Sequence, residues 1–366
     1  MVSQHRTIEL SLAEQAGWLN EGVSGCSVAS SLSLLSSSGR LAHGVPENLG
    51  GSGGTLLSAV EEIATVSEQC LTSGFVFWCQ RTFIEYLISS SNRWLNLQIL
   101  PKILRAECSG ATALENFVNE DFVDSAPIHA SLRGDTVTLQ GFLPWVSNLQ
   151  PKNFYVVVTA KTDDGKKLIV AVPSKAKGIQ RGDDLQLLGL QASWTSTLRL
   201  NKVCLSRQWI ISENADLFLS QIRPKLILMQ CALGLGITRR SLQETLQSTD
   251  GDNEEALINR LRYNAFTLTQ LEAQIWKLGT LQNFNSSKRE ILELRVALTR
   301  LALDSVWLEL EAKGVNAYLK PSGTARRLRE VAFLPVMAPT LLHLEQELQK
   351  TTNILPGLGA SAFKQI

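Results

Sequence analysis

The spacing of apolar positions changes twice along the chain. Over residues 55–69, Leu56, Val60, Ile63, Ala64 and Val66 share one helical face and Glu61 and Glu62 lie opposite, which predicts an amphipathic helix. Residues 8–18 and 28–35 predict shorter helices. Residues 75–88 predict a strongly apolar one carrying Phe75, Phe77, Trp78, Phe83 and Tyr86. Pro101 suits the first turn of a helix running to Ala106. From Gly141 to Ser206 the pattern shortens. Residues 154–160 and 167–173 are β-branched and aromatic runs on either side of an Asp163-Asp164-Gly165 turn. Over residues 195–203, Leu198, Leu200 and Val203 alternate with polar residues, as in a half-buried strand. The helical period then returns over residues 215–237, 257–281, 288–312, 325–334 and 340–350, with Pro335 and Pro339 breaking the last two apart. Glu290, Glu293, Arg295 and Arg300 are expected on a solvated face.

A compact β segment between two helical halves limits the choice of fold, and short sequence words narrow it further. Gly141-Phe-Leu-Pro-Trp145-Val146-Ser147-Asn148 is similar to the Gly-x-x-x and Trp-x-Thr-Asn step of the acyl-CoA dehydrogenase family of flavoproteins. Gly178-Ile179 and Gly189-Leu-Gln191-Ala-Ser193-Trp-Thr195 resemble its Gly-Ile and Gly-x-Arg-x-Ser-x-Thr. Upstream, residues 45–53 (VPENLGGSG) resemble its Val-Pro-Glu-x-x-Gly-Gly-x-Gly. Downstream, Leu328-Arg329-Glu330-Val331, after Arg327, is similar to its Leu-x-Arg-Asp-Ala. The resemblance implies an α+β, acyl-CoA dehydrogenase-like fold. Its parts are an N-terminal helical domain at 1–124, a central β-domain at 125–206, a C-terminal four-helix-bundle-like domain at 207–350 and a loose tail at 351–366. Strands are expected only between about 125 and 206.

Composition fits that plan. Of 366 residues, 44% are hydrophobic and 19% charged, enough for a sizeable core. A formal net charge of +1 argues against nucleic acid as a partner. The opening residues carry no secretory pattern, and the most apolar run, 226–237, is too short for a membrane span. A cytoplasmic location with buried, reduced thiols is expected. The six cysteines form no Cys-x-x-Cys pair, so no metal site is expected. The glycine pair Gly234 and Gly236 has no preceding strand and no third glycine, so it is no dinucleotide fingerprint.

The resemblance implies FAD as cofactor and an acyl thioester or related small molecule as substrate. It implies that Trp145 packs against the flavin ring and that Ser147 offers its hydroxyl to the reactive edge. Asn148 adjoins them, and Ser193 and Thr195 lie where the cofactor's phosphate or ribose part would pass. By residue type alone, Trp145 and Ser147 also read as a core tryptophan beside a turn serine. Asn148 also reads as a strand cap, and Ser193 and Thr195 as turn residues. The family's proton-abstracting glutamate falls on Ala338, and its alternative position falls on Ile222-Arg223-Pro224-Lys225, so neither place holds a carboxylate. Glu330, Glu345 and Glu347 are near in sequence, and Glu115 stands in the altered stretch around Asn116 and Asn119-Glu120-Asp121. The family's Arg-x-x-Phe-Gly is absent from residues 248–258, and its Gly-Gly-x-Gly is reduced to Gly314-Val315-Asn316-Ala317-Tyr318. The expected activity is a flavin-dependent oxidoreductase. The alternatives are a flavin monooxygenase on the same fold and a non-catalytic binding or assembly protein. A homodimer or homotetramer through the C-terminal helices is expected.

Overall fold

The structure is a computed structural model that describes residues 2–22, 27–113, 128–248, 255–281 and 283–352. Glu115, the acidic stretch at 119–121, the polar turn at 249–254 and the tail from 353 lie outside the described residues. Six helices come first: α1 (Val2–Glu21), α2 (Val28–Ser37), α3 (Leu56–Gln69), α4 (Leu71–Ile88), α5 (Arg93–Gln98) and α6 (Leu100–Leu104). Eight strands follow: β1 (Ser109–Ala113), β2 (Ile128–Arg133), β3 (Thr136–Ser147), β4 (Phe154–Thr162), β5 (Lys167–Pro173), β6 (Ile179–Asp184), β7 (Ser196–Ser206) and β8 (Ile210–Ser212). The chain closes with α7 (Ala215–Leu246), α8 (Glu255–Gly279), α9 (Lys288–Lys313), α10 (Gly323–Val331) and α11 (Leu341–Thr352).

The strands form one sheet in the order β6-β7-β3-β1-β4-β5-β8, with β2 also between β3 and β4. β1 and β2 thus share one line. Each runs antiparallel to β3 and parallel to β4. One face buries Ala111, Val146, Val156 and Leu198 in a core of the sheet's own. The other gives Tyr155, Val157, Ile169 and Ala171 to a larger core shared with α3, α4, α7 and α9.

Two short strands fall outside the expected 125–206 window, β1 before it and β8 after it. β1 reads Ser-Gly-Ala-Thr-Ala and carries no β-branched run. Its small residues answer to α4 instead. A Cβ on Gly110 would stand 2.5 Å from Cβ of Phe83, so only glycine lets the helix lie this close.

The Gly234/Gly236 pair is likewise a packing device. A Cβ on Gly236 would meet the carbonyl oxygen of Ala64 at 2.2 Å, so glycine here brings α7 onto the backbone of α3. Arg295 is a correction to the solvated face expected of α9. Its side chain is buried, with Nη2 donating to Leu334 O at 3.0 Å and Nε to Gln230 Oε1 at 3.4 Å. The loop after α10 approaches α9 there, and its free carbonyl needs a donor. Cys70, Cys79 and Cys231 are buried free thiols, while Cys204 is exposed. Among the described residues no helix is long and apolar enough to cross a membrane.

Candidate functional site

The end of β3 is shaped by a bulge. Leu143 pairs with Leu198 and Val146 with Ser196, so β3 carries one residue more than β7 in this interval. A bulge of this kind re-aims side chains. Val146 is buried in the sheet core, whereas Trp145 is 37% exposed. Ser147, the next residue, points away from the Val146 face, and Trp145, within the bulged interval, is the exposed residue two positions before it.

Thr112 on β1 lies directly across from Ser147. Its hydroxyl is buried and has no hydrogen-bond partner among the described residues. On the other side Ser147 Oγ meets Thr195 Oγ1 at 2.9 Å, and Thr195 Oγ1 meets Ser193 Oγ at 2.8 Å. Three hydroxyls joined by two bonds leave one hydroxyl hydrogen over, at either end of the row or on Thr195 in its middle. When the row points toward Ser147, that serine has a proton to donate. Thr112, Ser147, Thr195 and Ser193 therefore form a band of small hydroxyls beside an exposed indole.

The loop that carries Ser193 and Thr195 is tied to the N-terminal helices. Leu190 N donates to Asn20 Oδ1 and Ala192 N to Leu19 O. Trp194 packs among Ala16, Leu19, Leu32 and Val76. Asn148 lies behind the band, buried and with φ of 57°. Its Nδ2 donates to Gln80 Oε1 and Gly110 O, both at 2.9 Å, and so ties α4 to the ends of β1 and β3. Its Oδ1 is unpartnered. The structure thus brings Trp145, Ser147, Ser193 and Thr195 together and turns the Asn148 amide toward the fold. Thr112 is the member that sequence reasoning missed. Its one signal is a polar residue placed two after Gly110 in a strand of small residues.

The residues fit the ring end of a flavin. An exposed indole supplies a wall, the hydroxyl row supplies an orienting donor, and Thr112 Oγ1 is an orphaned polar atom beside them. Among the described residues no cluster of His, Cys, Asp or Glu is suited to a metal ion.

The carboxylates near the expected base positions are engaged elsewhere. Ala338 O accepts from Gln230 Nε2 at 2.9 Å, which sets that loop against α7. Arg223 holds Glu347 in a fork at 2.8 and 2.7 Å. Glu330 is buried against Arg326 and Thr72, and Glu345 pairs with Arg300 at 2.6 Å. One further acid, Glu85 on α4, is buried and accepts from Lys225 Nζ at 2.9 Å. Its sequence signal is a lone acid at i,i+4 from Arg81 in a helix otherwise rich in aromatics.

The whole arrangement is the acyl-CoA dehydrogenase fold. Butyryl-CoA dehydrogenase from Megasphaera elsdenii is similar over 96% of each chain, with a TM-score of 0.81 at 14% identity. Dibenzothiophene monooxygenase from Paenibacillus sp. A11-2 is similar over 99% of this chain and 98% of its own, with a TM-score of 0.79 at 15% identity. A prolyl acyl carrier protein oxidase is similar over 96% of this chain and 99% of its own, with a TM-score of 0.79 at 16% identity. No family model matches the sequence, and no curated protein matches it.

Proposed function

We propose that the chain is a flavin-dependent oxidoreductase that holds FAD against Trp145 and the hydroxyl band and acts on an acyl thioester or a related small acyl compound. The observation that carries this reading is the juxtaposition, at the end of β3, of exposed Trp145 with Ser147 and the Thr112 hydroxyl, which has no partner among the described residues. Bound FAD would supply a two-electron acceptor. Trp145 would cover one ring face and exclude water from it. Ser147 would donate its proton to a ring acceptor while Thr195 donates to Ser147, and Thr112 would satisfy its hydroxyl on the ring's polar edge. Ser193 and Thr195 hold the row in register through the loop pinned to α1.

A second reading is favoured by one observation. Ala338 and residues 222–225 leave no free carboxylate to remove a substrate proton. A flavin enzyme that used oxygen, as the neighbour named a monooxygenase does, would need no base at that place.

The test is spectroscopic. The purified protein, titrated with FAD, is expected to take it up in a saturable way and turn yellow, with loss of tryptophan fluorescence. A colourless protein that leaves added FAD free refutes both readings and leaves the binding or assembly role.

A further inference from the structure

A cavity lies at the end of β1 away from the hydroxyl band. It is a cleft of about 660 Å³ where α5 and α6 meet the sheet. That volume is in the range of small-molecule sites. Its floor is aromatic. Trp209 stacks on Tyr155 at 6.0 Å and receives the edge of Trp94 at 5.1 Å. Neither indole N–H of Trp94 or Trp209 has a partner among the described residues. Cys108 adds an apolar wall, because burial pushes its thiol pKa up and keeps it neutral.

The rim carries two lysines and one acid. Lys102 and Lys175 both line the cleft, and neither has an ion-pair partner among the described residues. The single acid of the lining, Glu107, is taken by Arg105 at 2.6 Å. An apolar aromatic floor, unpaired indole donors and two unpaired ammonium groups together define what fits.

We propose that this cleft binds a planar aromatic compound bearing one anionic group, with the ring against Trp209 and Trp94 and the anion between Lys102 and Lys175. The site is separate from the hydroxyl band. Cys108 precedes β1 and Thr112 ends near its far side, about 13 Å apart at roughly 3.3 Å per residue. Its occupancy does not depend on flavin, so the two readings fail independently.

The probe is 1-anilinonaphthalene-8-sulfonate, with its neutral analogue N-phenyl-1-naphthylamine as control, titrated into the full chain both with and without added FAD. Saturable fluorescence enhancement by the sulfonate is expected. Lys102→Glu with Lys175→Glu is expected to weaken the sulfonate at least tenfold and to leave the neutral analogue within twofold. Trp94→Leu is expected to weaken both. Circular dichroism confirms that each variant is folded. Three results overturn the proposal: no saturable binding, equal sulfonate affinity in the double lysine variant, or loss of binding in Trp145→Ala with the cleft intact.

Discussion

Thr112 faces Ser147 across the β1–β3 pairing, and its buried hydroxyl bonds to no group among the described residues. An unmet buried hydroxyl costs about 1–3 kcal/mol. A ligand that meets it recovers that cost on binding. Thr112→Val removes the polar group at nearly constant shape. It is expected to raise thermal stability of the ligand-free protein slightly and to weaken FAD five- to tenfold. Equal FAD affinity in Thr112→Val and the parent would separate Thr112 from the cofactor.

The indole and the hydroxyl row should separate in their effects. Trp145→Ala is expected to lower FAD retention at least tenfold, since the ring loses its wall. Ser147→Ala is expected to retain most of the FAD and to shift its reduction potential, because the donor changes while the contact area hardly does. Potentials and flavin content measured on both variants decide this. Unchanged values in both would mark these residues as structural.

The fold was more legible than this site. The Asp163-Asp164-Gly165 turn and the runs on either side of it became β4 and β5 because hairpin chemistry is local. The long period-3.6 patterns became α7, α8 and α9 for the same reason. β1 was hidden because its small residues are set by contact with Phe83, a long-range effect that no local pattern records. Arg295 was misplaced because a charge on a helix ordinarily faces water, and only the tertiary carbonyl of Leu334 reverses that. Trp145 and Ser147 could be read from their sequence word, but their partner Thr112 becomes visible only through strand register.

Dehydrogenation of ordinary acyl-CoA thioesters is expected to be slow. Removing a positioned general base typically costs about 10²–10⁴ in rate. Ala338→Glu places a carboxylate at the position that the sequence resemblance assigns to the base and is expected to speed anaerobic flavin bleaching by butyryl-CoA at least tenfold. Rapid bleaching by the unmodified protein would overturn this and direct attention to Glu85.

Acid should loosen the C-terminal helices. Burial alone would raise the Glu244 pKa. The hydrogen bond from Lys313 and the charges of Arg327 and Arg240 outweigh it and hold it at about 2. Its folded pKa is therefore below the ordinary value of 4.5, and the stability it contributes is complete above that value and lost as pH falls toward 2. Urea midpoints measured at pH 7 and pH 3 should diverge in the parent and converge in Glu244→Gln. An unchanged difference in the variant would assign the acid sensitivity elsewhere.

Glu309 and Arg327 form a buried pair, with Nε to Oε2 at 2.8 Å. Breaking one partner of such a pair costs about 3–5 kcal/mol, whereas replacing both by apolar residues can be neutral. Arg327→Met is expected to lower the unfolding free energy by that amount. The double change with Glu309→Leu is expected to recover most of it. Additive losses in the double variant would contradict the argument.

Tyr263 and Phe266 on α8 and Trp307 on α9 are 70%, 65% and 53% exposed. Arg260 reaches Asp304 and Glu311, which sets this part of α8 alongside α9. Exposed aromatics grouped on adjacent helices are suited to burial against a second copy. At least a dimer is expected, and Tyr263→Asp with Phe266→Asp should convert it to monomer. A monomeric parent by light scattering at micromolar concentration would refute this.

β1 and β2 sit end to end on one line of the sheet. Ala113 pairs with Val146 and Ile128 with Gly141, so the end of β1 and the start of β2 are set about 17 Å apart along β3 at roughly 3.4 Å per residue. Both strands are clamped between β3 and β4. The two short strands therefore act as one interrupted strand, and the sheet keeps its continuity between β3 and β4 although the chain supplies that central line in two pieces.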